Sequence, residues 1–171
     1  MNIDKIKNCL KEGERGERHK GLRKRVASIG IAGEHMKKAR HNFDAINDFY
    51  KIGYSDWSAS AAFYSLYHLL LAILAKRGFE SRNQSCTFAL IEDMIDSGDL
   101  DITKEELKEI FDKDVTENLE HSNKILDFRE TMQYSYKTFL EKGEFEILNQ
   151  RTKVLFNKLM MEAEKNNGKF T

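Results

Sequence analysis

The sequence predicts an all-α fold: an antiparallel up-and-down bundle of about five main helices, preceded by a short N-terminal arm of helical and irregular character. Three observations predict it. Proline is absent from all 171 residues, and proline is the residue that breaks helix interiors and punctuates strands and loops. Gly53, Gly78, Gly98 and Gly143 stand where helical patterns stop, the left-handed position that follows a helix C-terminus. Apolar residues recur at intervals of three and four, with no strand-like alternation between turn pairs and no repeat period.

Residues 1–28 read as the arm. Its cations, among them Lys5, Lys11, Arg15, Arg23 and Arg25, are interleaved with Asp4, Glu12, Glu14 and Glu17. A short helix over 2–12 is expected, and Gly13, Gly16 and Gly21 then make 13–27 irregular or only partly ordered. Residues 29–167 read as the bundle. Between Ile31 and Lys51, Met36, Ala39, Phe43, Ile46 and Tyr50 form one helical face. Ser55 and Asp56 supply an N-cap for the next helix, which runs from about Trp57 to Arg77 and is apolar on most sides. That pattern marks a buried central helix, with Trp57, Tyr64 and His68 on its core stripe. A shorter helix follows over Gln84–Asp96. Thr103 and Glu106 form a capping box that opens a helix through Leu107 and Ile110. The chain on to Lys142 reads as mostly helical, broken near 114–120, and Glu144–Asn166 is the last helix. Short connections make neighbouring helices antiparallel.

Composition bounds the chemistry. Apolar residues are 40% and charged residues 33% of the chain, a globular balance. A chain of this length buries about 70% of its unfolded surface and needs no disulfide or metal staple. Formal net charge is zero, so no global basic field points to nucleic acid. Cys9 and Cys86 show no ligand spacing, which reads as a reduced, cytoplasmic protein. No signal peptide is expected, and the longest apolar stretch, Leu69–Ala75, is far short of a membrane span. Phosphate-loop, dinucleotide, zinc-protease and nucleophile-elbow signatures are missing. The histidines at 19, 35, 41, 68 and 121 show no metal spacing, so neither a metal nor a cofactor is expected. The acidic run through Glu105, Glu106 and Glu109 reads as a solvated helix face.

Two segments are more specific. One is Tyr54-Ser-Asp-Trp-Ser-Ala-Ser-Ala-Ala-Phe-Tyr-Ser-Leu-Tyr-His68, continuing to a Lys-Arg-Gly turn at residues 76–78. The other is Phe128-Arg-Glu-Thr-Met-Gln-Tyr-Ser-Tyr136. Together they resemble the HEPN family of helical-bundle proteins over roughly residues 31–165, with Phe63 where a tyrosine often stands. The resemblance implies a bundle that dimerises. Many HEPN proteins are metal-independent ribonucleases whose motif is an arginine, a polar residue and then a histidine, paired across a dimer cleft. In one branch a tyrosine past the histidine is adenylylated by a minimal nucleotidyltransferase, which silences the toxin.

Carried onto this chain, Arg129 takes the arginine place, Glu130 the polar place, Tyr134 the histidine place and Tyr136 the modified tyrosine. No histidine lies four to six residues past Arg129, and His121, eight residues before it, is a weak substitute. Histidine titrates near neutrality and can move the 2′-hydroxyl proton. Tyrosine, with a pKa of about 10, is a poor general base. Arginine alone can still grip a phosphate bidentately. The sequence thus leads to a homodimer that binds RNA, a nucleotide or a nucleotidyltransferase partner near Arg129. An active endoribonuclease toxin and a non-catalytic dimerisation or adaptor module are the alternatives.

Overall fold

The computed structural model describes residues 3–16, 20–110 and 125–165. Among them lie seven helices and two strands: α1 (Ile3–Glu14), β1 (Leu22–Lys24), α2 (Ile29–Lys51), α3 (Ser55–Lys76), β2 (Phe79–Ser81), α4 (Gln84–Asp96), α5 (Lys104–Ile110), α6 (Ile125–Tyr134) and α7 (Lys142–Glu164). The all-α bundle expected from periodicity is present. The segment around 114–120 and His121 lie outside the described residues.

α3 is the axis of the bundle. Phe63, Leu66, Leu70, Ile73 and Leu74 are fully buried on it, and it packs against α2, α6 and α7. By length and composition α3 could cross a membrane, but 78% of its apolar window is buried inside the bundle. A helix enclosed on most sides by protein uses its apolar surface there. Aromatic pairs tie α2 to α7: Tyr50 stacks on Phe145 at 3.8 Å and Phe43 meets Phe156 at 4.4 Å between centroids. Lys76, buried at the end of α3, donates to the carbonyls of Ala163 (2.7 Å) and Lys165 (2.8 Å), which the end of α7 leaves unpaired.

Caps explain most boundaries. The Ser28 hydroxyl accepts from Ile31 N at 3.1 Å and opens α2, and Asn83 does the same for α4 through Cys86 N at 3.0 Å. The Thr103–Glu106 capping box forms reciprocally, at 2.8 and 3.1 Å. Ser55 does not cap α3 as expected. α3 begins after Tyr54 without a side-chain cap, and the Ser55 hydroxyl instead accepts from Leu140 N at 2.7 Å. That bond pins residues 135–141, which are not helical, against the start of α3. Gly143 is likewise not a terminator: it lies in the first turn of α7, behind the capping box of Glu141 and Glu144.

The arm is the largest departure from expectation. Residues 22–24 are not irregular but form β1. β1 pairs antiparallel with β2 in the register Leu22↔Ser81, Arg23↔Glu80, Lys24↔Phe79, with Leu22 fully buried. Two glycines permit this. Gly78 adopts φ +77° and its carbonyl accepts from Arg25 N at 2.8 Å. A Cβ at Gly13 would stand 1.9 Å from the Leu22 carbonyl oxygen, so only glycine lets α1 lie on β1. Cys9 and Cys86 are not free thiols. They form a disulfide between α1 and α4, with Cα atoms 5.9 Å apart.

Candidate functional site

Arg129 lies on α6, where that helix crosses the first half of α3. Its guanidinium carbon stands 4.0 Å from the Phe63 ring centroid and 5.9 Å from that of Tyr64. A guanidinium lying on a ring face keeps its edge N–H donors free. Among the described side chains no carboxylate pairs with it. Phe63 is itself held by stacking on Tyr67 at 5.7 Å. The Tyr67 hydroxyl is fixed in the interior by Thr87 Oγ1 at 3.1 Å, which Ser81 Oγ also meets at 2.6 Å. Burial raises the Tyr67 phenol pKa and the Thr87 bond opposes the rise. Tyr67 is therefore a neutral prop. Phe63, where the family often has tyrosine, is the platform that aims the arginine.

The guanidinium faces a cleft of about 310 Å³ between α3 and α6, lined by Asp56, Trp57, Ser60, Tyr64, Met132 and Gln133 with Arg129. Trp57 and Tyr64 are not core residues as expected: they are 57% and 40% exposed. The reason is the neighbours of α3. Its stripe Trp57, Ser60, Tyr64, His68 and Leu71 looks outward between α2 and α6, while the fully buried set lies on its other faces. Trp and Tyr tolerate that position because each has a polar end.

His68, the third expected core residue, is half-buried on the same stripe. Its Nδ1 lies 3.0 Å from Nδ1 of His35 on α2, so one ring donates and the other accepts. Burial lowers the pKa of both; that of His68, lowered further by His35 and Lys38, falls to about 4. The ring centroids are 5.3 Å apart. Two imidazoles in end-to-end contact at 3.0 Å sit at about that separation, with ring nitrogens aimed at one another and away from any shared third point. Among the described residues no three His, Cys, Asp or Glu side chains converge as a metal site.

Tyr134 and Tyr136 do not line the cleft. Tyr134 ends α6 and is 79% exposed, and Tyr136 projects fully into solvent from the following segment. Glu130 lies on α6 next to Arg129. Of the expected set, then, the fold brings Arg129 together with Trp57 and Tyr64 and leaves both late tyrosines outside. The sequence did not anticipate the Phe63 platform or the His35–His68 pair. For Phe63 a signal existed in its departure from the family pattern. For His35 none did, because the two histidines are joined only by the packing of α2 on α3.

A family model described as HEPN domain matches residues 32–163. No curated protein gives a significant match to the chain.

Proposed function

This chain belongs to the HEPN domain family, and from that premise we propose that it binds a phosphate-bearing ligand, RNA or a nucleotide, in the Arg129 cleft as a homodimer. The observation that carries the reading is the Arg129 guanidinium, held 4.0 Å over the Phe63 ring at the mouth of the cleft. A fork fixed on a ring loses little freedom when its edge grips two phosphate oxygens. Trp57 and Tyr64, exposed beside it, offer ring faces to a base. Stacking of this kind is worth about 1–3 kcal/mol per base and tolerates any sequence.

The cleft is fitted for binding more than for strand cleavage. Transesterification at a phosphodiester requires a group that takes the 2′-hydroxyl proton and one that protonates the leaving oxygen. None of the described residues lining the cleft is a histidine, and His68, farther along the same stripe, faces His35 with its pKa lowered to about 4 by burial and by His35 and Lys38. Tyr134, in the place the family gives to histidine, points to solvent. We therefore read the chain as a binding member of its family with a degenerate ribonuclease motif.

The exposure of Tyr136 favours a second reading. A fully accessible phenol at the family's modified position suits a nucleotidyltransferase partner that adenylylates it. Loss of Arg129 tests the first reading. In metal-free buffer, Arg129→Ala is expected to weaken single-stranded RNA binding and flatten its salt dependence by about one phosphate contact. Arg129-dependent cleavage would instead establish the endoribonuclease. No RNA affinity even at low salt would leave the adaptor module.

A further inference from the structure

Residues 25–28 cross the end of α3 on their way from β1 to α2. Two backbone bonds tie them down: Arg25 N donates to the Gly78 carbonyl at 2.8 Å and Ser28 N to the Ala75 carbonyl at 3.0 Å. Between this crossing, α2, α3 and β2 lies a cavity of about 520 Å³. Leu71 and Ala75 floor it, and Val26, Ile31 and Phe79 wall it. It shares no lining residue with the Arg129 cleft. A mainly apolar hollow of this size with a few polar groups is the usual form of a small-molecule site.

The polar groups say what kind of molecule. Arg25, Ser28, His35, Glu80 and Ser81 meet the cavity, and most are already engaged. The Ser28 hydroxyl caps α2, and the Ser81 hydroxyl bonds Thr87 Oγ1 and the Asn83 carbonyl. Glu80 is clasped from both sides: Oε2 accepts from Arg25 Nε at 2.8 Å and Oε1 from Arg82 Nε at 2.6 Å. The Arg25 bond, with Arg82, holds its pKa below the usual carboxylate range. His35 Nδ1 meets His68, and burial lowers its pKa, so the ring is neutral. What is left is the outer edge of the Arg25 guanidinium, whose Nη donors have no partner among the described residues. Two guanidiniums on one carboxylate also leave a net positive charge at this mouth. His35 is seven residues past Ser28, about 10 Å along α2, which an extended chain of about eight carbons spans.

We propose that this cavity binds a free medium-chain carboxylate of about eight carbons, with its head on the Arg25 Nη edge and its alkyl chain over Leu71, between Ile31 and Phe79. The head supplies the charge the mouth lacks, in the paired geometry a guanidinium favours. The chain covers Val26 and Ile31, which are otherwise 91% and 57% exposed. The neutral His35 ring closes the far end without opposing an alkyl tail. The site goes beyond the Arg129 reading and does not depend on it.

Calorimetric titration of the full chain with butyrate, hexanoate, octanoate and dodecanoate, each below its micelle concentration, tests this. One site per chain is expected. Affinity should rise about threefold to fourfold per methylene up to about eight carbons and level off beyond. Octanol should bind at least about tenfold more weakly than octanoate, and Arg25→Gln should remove that difference. Leu71→Trp, which fills the floor, should abolish binding. Far-UV circular dichroism checks both folds. Arg25 is half exposed, so the Arg25→Gln comparison decides the matter even where Leu71→Trp does not fold. Affinity that keeps rising through dodecanoate, octanol equal to octanoate, or a folded Leu71→Trp that still binds overturns the site, as does no binding at millimolar octanoate. Binding to phosphatidylglycerol vesicles without affinity for octanoate assigns the face to a membrane and overturns it too. RNA binding at Arg129 is unaffected by any of these outcomes, so the two readings fail separately.

Discussion

Replacing Cys9 and Cys86 by alanine tests how the arm is held. The disulfide joins residues 77 apart in sequence, and closing a loop of that length in the unfolded chain is worth about 4.5 kcal/mol by the loop-entropy relation. Native strain and residual structure in the unfolded state lower the measured figure, so about 3–4 kcal/mol is expected. With a urea slope near 2 kcal/mol per molar for a chain of this size, the midpoint falls by about 1.5–2 M. Urea unfolding, read by circular dichroism under non-reducing conditions, measures the shift. Cys9→Ala, Cys86→Ala and the double variant should all be destabilised alike, because each removes the same bond. The wild type with reductant should approach them. Both sulfurs are also buried, so two separate packing losses are the rival explanation, and those would add. A double variant destabilised by the sum of the singles, or a wild type indifferent to reductant, refutes the cross-link as the source of stability.

Acid should weaken the fold through His68. Its folded pKa of about 4 lies below the ordinary 6.5, so the unfolded chain binds the proton first, and stability falls as pH drops from about 6.5 to 4 and levels off below. The full shift would be worth about 3.4 kcal/mol, but the ring is half solvated and about 1–2 kcal/mol is expected; His68→Leu should flatten that part of the pH profile of the urea midpoint. Gly13→Ala should destabilise by about 2 kcal/mol or more, because the new Cβ meets the Leu22 carbonyl oxygen at 1.9 Å. Gly33→Ala, inside α2 with nothing within 4 Å, should stabilise by about 0.5–1 kcal/mol in the same assay. Phe63→Leu should weaken RNA binding toward the level of Arg129→Ala if the ring face is what aims the guanidinium; unchanged affinity would show the arginine to be positioned by α6 alone.

What was legible in the sequence follows from how local each signal is. The helices α2, α4 and α7 were readable from an apolar period that acts within a few residues, and α5 from the Thr103–Glu106 box, which works at a reach of three; the Ser28 and Asn83 caps act at the same reach and went unread. The sheet was not readable. A three-residue strand carries no alternation to detect, and two of the glycines that suggested disorder in the arm, Gly13 and Gly21, are the ones that let α1 and β1 approach closely, while Gly78 brings the α3–β2 turn against Arg25. The disulfide was hidden for a related reason. Separation in sequence says nothing about proximity once an intervening strand pairing folds the arm back onto α4.

The reading of α3 shows where periodicity stops informing. A helix apolar on nearly every side has a weak apolar direction, so its stripe of Trp57, Tyr64 and His68 looked no different from a core stripe. The chemistry of the side chains was nevertheless sorted. Phe63, Leu66, Leu70 and Ile73, with no polar atoms, are fully buried, while the indole, phenol and imidazole carry the outward face. Each of those three has one apolar surface and one polar end, which suits a boundary that is wet in the monomer and covered in a complex. The same sorting locates Arg129. It stacks where the buried Phe63 meets the exposed Tyr64, so its charge stays at the water-facing edge while its plane rests on the core. On a helix of this kind, the residue types along a stripe carry the direction that the hydrophobic period leaves out, and that direction is the one on which the Arg129 cleft opens.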